Sequence, residues 1–420
     1  MNMSKKSLAA LAISTALLTP SAFADDGFVF HGYARAGIGI SGDNGQNVEF
    51  NKQQLGRLGN EADTFAEFGL GKEIYNEDGA RFFFDSMLAV GSDGSNIFES
   101  LKDDEENGFI DFRQLNVQAT GVLNFAPEAT LWAGKRYYQR HDIHITDFYY
   151  WNTSGSGAGI ENLNLGDGQF SFAVIRNDDN DVEDTGNRGE ALNVNVIDMR
   201  YAGINLWSNA DLELGINYAI TNPSSDASAE AKESKDGVMA TAQLTQNLNN
   251  GFNKTVVQFG TEGYAKELAT FGAGTAYHAT TEHGGSAYRL INWGVVSLTD
   301  KVDLGHQLLW SSTIDDIESD QKDDLTYLSA VIRPVYNWDK HHKTIVEAGY
   351  FSNQDISGQD LSGQKITIAQ AWNAGEGFFA RPEIRLYGTY FSNIDSIDEN
   401  NVVSTVDSEF NVGVQVEAWW

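Results

Sequence analysis

The densest run of groups able to hold a metal or move a proton is Arg140-His141-Asp142-Ile143-His144, with Asp147, Ser154 and Ser156 a few residues further on. Imidazole and carboxylate are common metal ligands, but this spacing follows none of the strong zinc patterns. A serine near histidines raises the idea of a hydrolase, yet neither Ser154 nor Ser156 sits in a Gly-x-Ser-x-Gly elbow, so an enzyme is not the expected reading. Asp178-Asp179-Asn180-Asp181 could hold calcium weakly, but it lacks the glycine and closing glutamate of a dedicated loop and reads better as solvated chain. The sequence contains no cysteine, which excludes a disulfide scaffold, thiolate metal sites and cysteine catalysis. The chemistry of these polar groups then depends on what kind of wall presents them.

The 420 residues carry 28 Lys plus Arg against 59 Asp plus Glu, a net charge of −31, so a phosphate backbone would be repelled and nucleic-acid binding is not expected. Five prolines stand beside 42 glycines, 24 Phe, 16 Tyr and 9 Trp, a mixture of strand and turn formers that leans to an all-β protein. Lys5 and Lys6, the apolar stretch Leu8 to Leu18, Pro20 and the small-residue pattern Ala22-Phe23-Ala24 predict a secretory signal cleaved after residue 24. Beyond it there is no uninterrupted apolar run of the length a membrane helix needs. An exported chain of this kind is expected to be periplasmic, secreted or an outer-membrane barrel.

Alternation decides among these, because every strand of a membrane barrel must keep an apolar face to lipid and a polar face to the lumen. From Asp211 to Ile220, Leu212, Leu214, Ile216, Tyr218 and Ile220 oppose Asp211, Glu213, Gly215 and Asn217. Phe28 to Ile40 sets Phe30, Ala34, Ala36, Ile38 and Ile40 against His31, Tyr33 and Arg35; Asp63 to Glu73, Glu383 to Phe391 and Phe410 to Trp420 repeat the pattern. Between such segments lie turn clusters such as Asp43-Asn44-Gly45 and Asn76-Glu77-Asp78-Gly79. Sixteen to eighteen strands of about 10 residues fit the length, and a barrel of that size encloses a water-filled channel. No linker or composition shift marks a second domain, so residues 25–420 are expected to form a single barrel. Water-facing lumen and loops also account for a mean hydropathy of −0.35 in a membrane protein.

Longer words also stand out in the sequence. They are Phe30-His31-Gly32-Tyr33-Ala34-Arg35 with Gly37-Ile38-Gly39, Arg57-Leu58-Gly59-Asn60-Glu61, and Leu131 to His144 continuing through Asp147-Phe148-Tyr149-Tyr150-Trp151 to Gly157-Ala158-Gly159. Gly251-Phe252-Asn253-Lys254, Arg381-Pro382 and Trp419-Trp420 continue the series toward the C-terminus. Together these words resemble the maltoporins, outer-membrane channels for maltose and maltodextrins. The resemblance implies an 18-stranded antiparallel transmembrane β-barrel, a homotrimer with one channel per subunit, and a loop at about 137–160 folded inward as a constriction. It implies maltose and maltodextrins as solutes, outer-membrane lipid and lipopolysaccharide as surroundings, a periplasmic maltose-binding protein as receiver, and no cofactor.

By the same resemblance an aromatic strip for the apolar faces of the sugar rings would consist of Tyr33, Phe65, Phe252, Phe379 and Trp419, with Phe98 reaching in from a neighbouring subunit. Parity supports this independently, since Tyr33 shares a polar face with Arg35, Phe65 with Glu67, Phe379 with Arg381 and Glu383, and Trp419 with Gln415 and Glu417. Phe65 stands where the family usually has tyrosine and Phe379 where it usually has tryptophan. A polar track for the sugar hydroxyls would comprise Arg35, Arg57, Glu67, Arg113, Arg140, Asp142 and Asp147, with His144 lining the constriction and Tyr149 opposite the strip. Arg113 shares its parity with Leu115 and Val117, so a bulge or a rim position is needed to bring it inward. The altered strip residues leave another oligosaccharide, such as sucrose, or general porin activity as the alternative. A soluble periplasmic sugar-binding β-protein is a further one, separated by outer-membrane fractionation.

Overall fold

The computed structural model describes residues 27–94, 108–177, 193–225, 227, 231–269, 277, 284–317, 321, 324–354, 358–397 and 403–420. The expected signal at 1–24, Phe98 and the acidic run 178–181 lie outside them. The wall begins with β1 (Phe28–Ser41), β2 (Thr64–Glu77), β3 (Ala80–Ser92), β4 (Gly108–Thr120) and β5 (Thr130–Arg136). A small internal hairpin follows, β6 (His141–Ile143) and β7 (Phe148–Trp151). The wall resumes with β8 (Gly155–Leu165), β9 (Gly168–Arg176), β10 (Asn195–Trp207), β11 (Ala210–Ile220), β12 (Gly237–Leu248) and β13 (Gly251–Thr261). It is completed by β14 (Ser286–Thr299), β15 (Val302–Asp315), β16 (Thr326–Asn337), β17 (His342–Gln354), β18 (Asp360–Asn373), β19 (Glu383–Ile397) and β20 (Val403–Trp419). Two short helices, α1 (Lys52–Leu55) and α2 (Gly263–Ala269), lie in loops.

Wall strands pair antiparallel with their neighbours, β5 pairs with β8 across the hairpin, and β1 pairs with β20 from Tyr33↔Trp419 to Ser41↔Asn411, closing an 18-stranded barrel. Closure leaves no unpaired strand edge in hydrocarbon, which is what lets strands cross a bilayer. The alternation read from the sequence becomes two surfaces: on β18, Ile366 and Ile368 are 54% and 59% exposed on the outside, while Lys365 and Thr367 between them are 3% and 0% exposed on the inside. One end of the barrel has tight turns. At Asp78-Gly79 both residues take positive φ (52° and 84°), the type I′ geometry that matches strand twist. The opposite end carries longer connections, including 42–63, 137–154 and 262–285, which places it outside and the short turns on the periplasmic side.

The β3–β4 ladder steps from Met87↔Gln114 to Leu88↔Phe112, so Arg113 is an extra, bulged residue. That is why Arg113 can turn inward although Leu115 and Val117, at 49% and 36% exposure, face out.

Among the described residues more than one connection folds into the barrel: 42–63, 137–154 and, through Tyr264, Ala265 and Leu268 of α2, the start of 262–285. In the first, 42–63, Leu55 and Leu58 are fully buried; in the second, Ile143, Ile145, Phe148, Tyr150 and Trp151 are. Leu58 and the second loop pack on inward residues of the wall, Val256, Ile291, Leu309, Val331 and Ile345, and Leu55 packs with Phe351 and Phe391. The second loop ends at residue 154, because Gly155 already belongs to β8; the expected extent to 160 is therefore too long. Wall glycines make the seats. An added Cβ at Gly215 would run into the Trp151 ring, and one at Gly349 into the Leu55 carbonyl.

Candidate functional site

An aromatic row follows the inner wall from the loop end to the turn end. Phe109 at the start of β4 lies 6.3 Å from Phe65, and Phe65 lies 6.1 Å from Tyr33. Tyr33 is in register with Trp419 on β20. His144, from the second inward loop, sits 5.5 Å from Trp419 and 5.6 Å from Phe379, tying the last two rings together. Tyr33, Phe65, Phe379 and Trp419 keep part of their surface open, as residues that must be touched by a solute would. Phe252 does not: it is 6% exposed, packed edge-on at 5.2 Å against Trp293. Trp293, Phe379, Ile143, His144 and Ile145 line one small cleft, so the row approaches Phe252 through Trp293.

Beside the rings runs an ion-pair chain of alternating sign. Asp63 takes both arms of Arg35 at 2.9 and 2.6 Å; Arg35 reaches Glu61 at 3.7 Å, and Glu61 meets Arg57 at 2.9 Å. Arg57 then reaches Glu417 at 3.1 Å, Glu417 meets Arg381 at 2.6 Å, Arg381 meets Glu383 at 3.4 Å and Glu383 meets Lys343 at 2.5 Å. Arg385 joins at Glu417 and Glu383. Asp147 lies 3.2 Å from Lys52 and 3.6 Å from Arg35. Three guanidinium groups of this chain flank three rings of the row: Arg35 is 5.0 Å from Phe65, Arg57 is 5.9 Å from Tyr33, and Arg381 is 4.6 Å from Trp419. Tyr33 Oη donates to Glu417 at 3.0 Å and accepts from Arg57 at 2.5 Å, stitching the two rows together.

Burial alone would raise the Glu61 carboxyl, but Arg57, Arg35 and Lys52 hold it far below the usual carboxylate range. Burial pushes His144 well below the ordinary imidazole value, against the pull of Glu417, so it stands as a neutral ring between Arg57 at 3.5 Å and Arg381 at 3.3 Å.

The remaining residues expected on the polar track form a second group. Arg140 lies 3.4 Å from the Tyr137 ring centre and 4.7 Å from that of Tyr149, and Tyr137 Oη donates to Glu67 at 2.6 Å. Asp142 pairs with Tyr149 across the β6–β7 hairpin; burial raises its carboxyl, with Arg140 opposing. Arg113 pairs with Asp111 at 3.2 Å and lies 5.2 Å from Phe109, linking this group to the loop end of the row. His141 contacts Glu213 at 3.2 Å and stacks 5.3 Å from Trp151.

The sequence reading passed over Glu61, Glu417, Tyr137, Trp293 and Phe109 as site residues. Parity was available for Glu417 and Trp293, which share inward faces with Gln415 and Arg289; Glu61 and Tyr137 lie in loops, where no period applies.

The sequence profile described as LamB porin matches residues 28–420. The chain belongs to this family. Among LamB-family relatives, "Maltoporin" of Photobacterium profundum is 46% identical over 408 residues, spanning 93% of both chains. "Maltoporin" of Hahella chejuensis is 44% identical, spanning 98% of this chain and 96% of its own. The solved outer membrane protein opdK from Pseudomonas aeruginosa superimposes with a TM-score of 0.52 at 11% identity, covering 95% of this chain and all of its own, a likeness of fold alone. As a LamB-family porin, the protein is an integral outer-membrane β-barrel.

Proposed function

We propose that the protein is a passive channel for maltose and maltodextrins. The observation that carries this reading is the pair of parallel rows, Phe65–Tyr33–Trp419–Phe379 and Asp63–Arg35–Glu61–Arg57–Glu417–Arg381. A glucose polymer presents apolar ring faces and a rim of hydroxyls; rings supply area without saturating hydrogen bonds, and charged groups exchange bonds with the rim. Several weak contacts in succession let a solute dock and move on. Barrel closure and family membership support a channel, and the relatives' names support the solute. Homotrimeric assembly belongs to the same reading, and a native mass measurement of the detergent-extracted protein tests it.

The experiment is reconstitution in a planar bilayer with maltotriose and maltohexaose titrated against the ion current. Saturable block that strengthens with chain length is the expected result. Open channels indifferent to both sugars but blocked by sucrose would transfer the function to another oligosaccharide.

A further inference from the structure

We infer that Arg333, Glu347 and Lys365 form a clamp that sets the bore of the channel by gripping the backbones of two inward loops, 42–63 and 137–154, while touching nothing that passes. The three residues stand on the inner faces of β16, β17 and β18 and are 3%, 0% and 3% exposed. Glu347 is in register with Thr367 and Gly349 with Lys365, so Lys365 stands diagonally beside Glu347 on the same face, and Arg333 follows Ile332, which is in register with Ala348. Glu347 takes Arg333 Nε at 2.5 Å and Lys365 Nζ at 2.7 Å, so one carboxylate joins two cations.

What those groups do with their other bonds is the informative part. Lys365 Nζ donates to the carbonyls of Gly56 and Leu58 at 2.8 Å each, and Glu347 Oε1 accepts from the Leu58 N–H at 2.9 Å. Thr367 Oγ1 adds a bond to the Leu58 carbonyl at 3.0 Å. Arg333 Nη2 donates to the carbonyl of Ile145 in the second loop at 3.1 Å, and that same carbonyl accepts the Arg57 N–H at 3.0 Å. The clamp therefore fixes the residues on either side of Arg57 and the residue after His144, the two side chains that meet the ionic and aromatic rows. It recognises main chain, so it can hold the loops whatever their exposed side chains contact. A buried carboxylate between two cations is poor evidence of stability in itself, and a registry role is the better-attested use of such groups.

The inference rests on the channel reading through ion current alone, so the sugar can fail separately. Conductance in potassium chloride and block by maltohexaose are measured for the parent, E347Q and the double variant E347Q/K365M. The triad's formal charge is +1 in the parent, from two cations and one carboxylate, +2 in E347Q and +1 again in the double variant. A clamp predicts conductance raised about twofold or more in E347Q, weaker block, and a bore that stays wide in the double variant, whose ammonium grip is gone. Parent conductance in E347Q would overturn the inference. Recovery of parent conductance in the double variant would also overturn it, by assigning the effect to charge in the lumen. T367V removes one bond to Leu58 and no charge, and covers the case in which E347Q fails to assemble: a smaller rise in conductance supports the clamp, and none refutes it. Raised conductance in the variants, with a parent indifferent to maltohexaose, would keep the clamp and remove the sugar.

Discussion

The lumen has two sides built on the same alternating wall and put to opposite uses. From β10 to β17 the inward polar groups are consumed by loops: Gln258 Nε2 donates to the Tyr150 carbonyl at 2.8 Å, Ser329 Oγ to the Gln54 carbonyl at 2.8 Å, and Asn217 Oδ1 accepts from Trp151 at 3.0 Å. Across β1, β2, β19 and β20 the inward charges meet loop side chains rather than loop backbone, Arg35 with Glu61 and Asp63 and Glu417 with Arg57, and the rings beside them stay partly open. The wall pattern alone does not choose between packing and passage. The choice is made by apolar loop side chains, which fill one side with a core and leave the rings and ion pairs of the other partly open.

The same change made on both sides should separate the two uses. W151A removes a fully buried ring seated on Gly215 and is expected to cost about 3–5 kcal/mol, read as a lowered denaturation midpoint of the detergent-solubilised barrel. A near-parent midpoint would mean that the loop is held by its backbone alone. E61Q should cost about 1.5–3 kcal/mol at neutral pH by weakening bonds to Arg57 and Lys52. Because the folded carboxyl is depressed, its contribution is complete above the unfolded value of about 4.3 and fades as pH falls below it. The gap between parent and variant midpoints should therefore narrow from about pH 5 downward; a gap that widens in acid would reverse the sign. W419A, on the open side, should leave the midpoint nearly unchanged but weaken maltohexaose block about tenfold, the equivalent of roughly 1.4 kcal/mol of stacking. F379W enlarges the row where it meets His144 and should tighten block about twofold, with unaltered conductance for small ions.

Strands were legible because a period of two leaves a mark in every residue, and β1, β2, β11, β19 and β20 fall where alternation put them. Four of the ring positions, Tyr33, Phe65, Phe379 and Trp419, were readable as aromatics on polar faces. Phe252 satisfied the same rule and is buried, since parity reports which surface a side chain faces and not what covers it there. The first inward loop escaped notice for a related reason: Leu55 and Leu58 are apolar residues in a segment without period, and only the seat at Gly349 and the clamp reveal where they go. Glu417 acts through Arg57, a partner distant in sequence, while Glu61 meets Arg57 only four residues away, in a loop where no period marks either as inward.

The bulge at Arg113 gives β4 an unusual tolerance. In a regular strand, loss of one residue turns every later side chain to the wrong surface. Here the ladder already holds one residue more than β3 needs, so excising Arg113 would place Phe112 and Gln114 opposite Leu88 and Met87 in unbroken register and keep Leu115 and Val117 toward lipid. At this position a deletion is the conservative edit, and the charge it carries can be gained or lost in descent without rebuilding the wall.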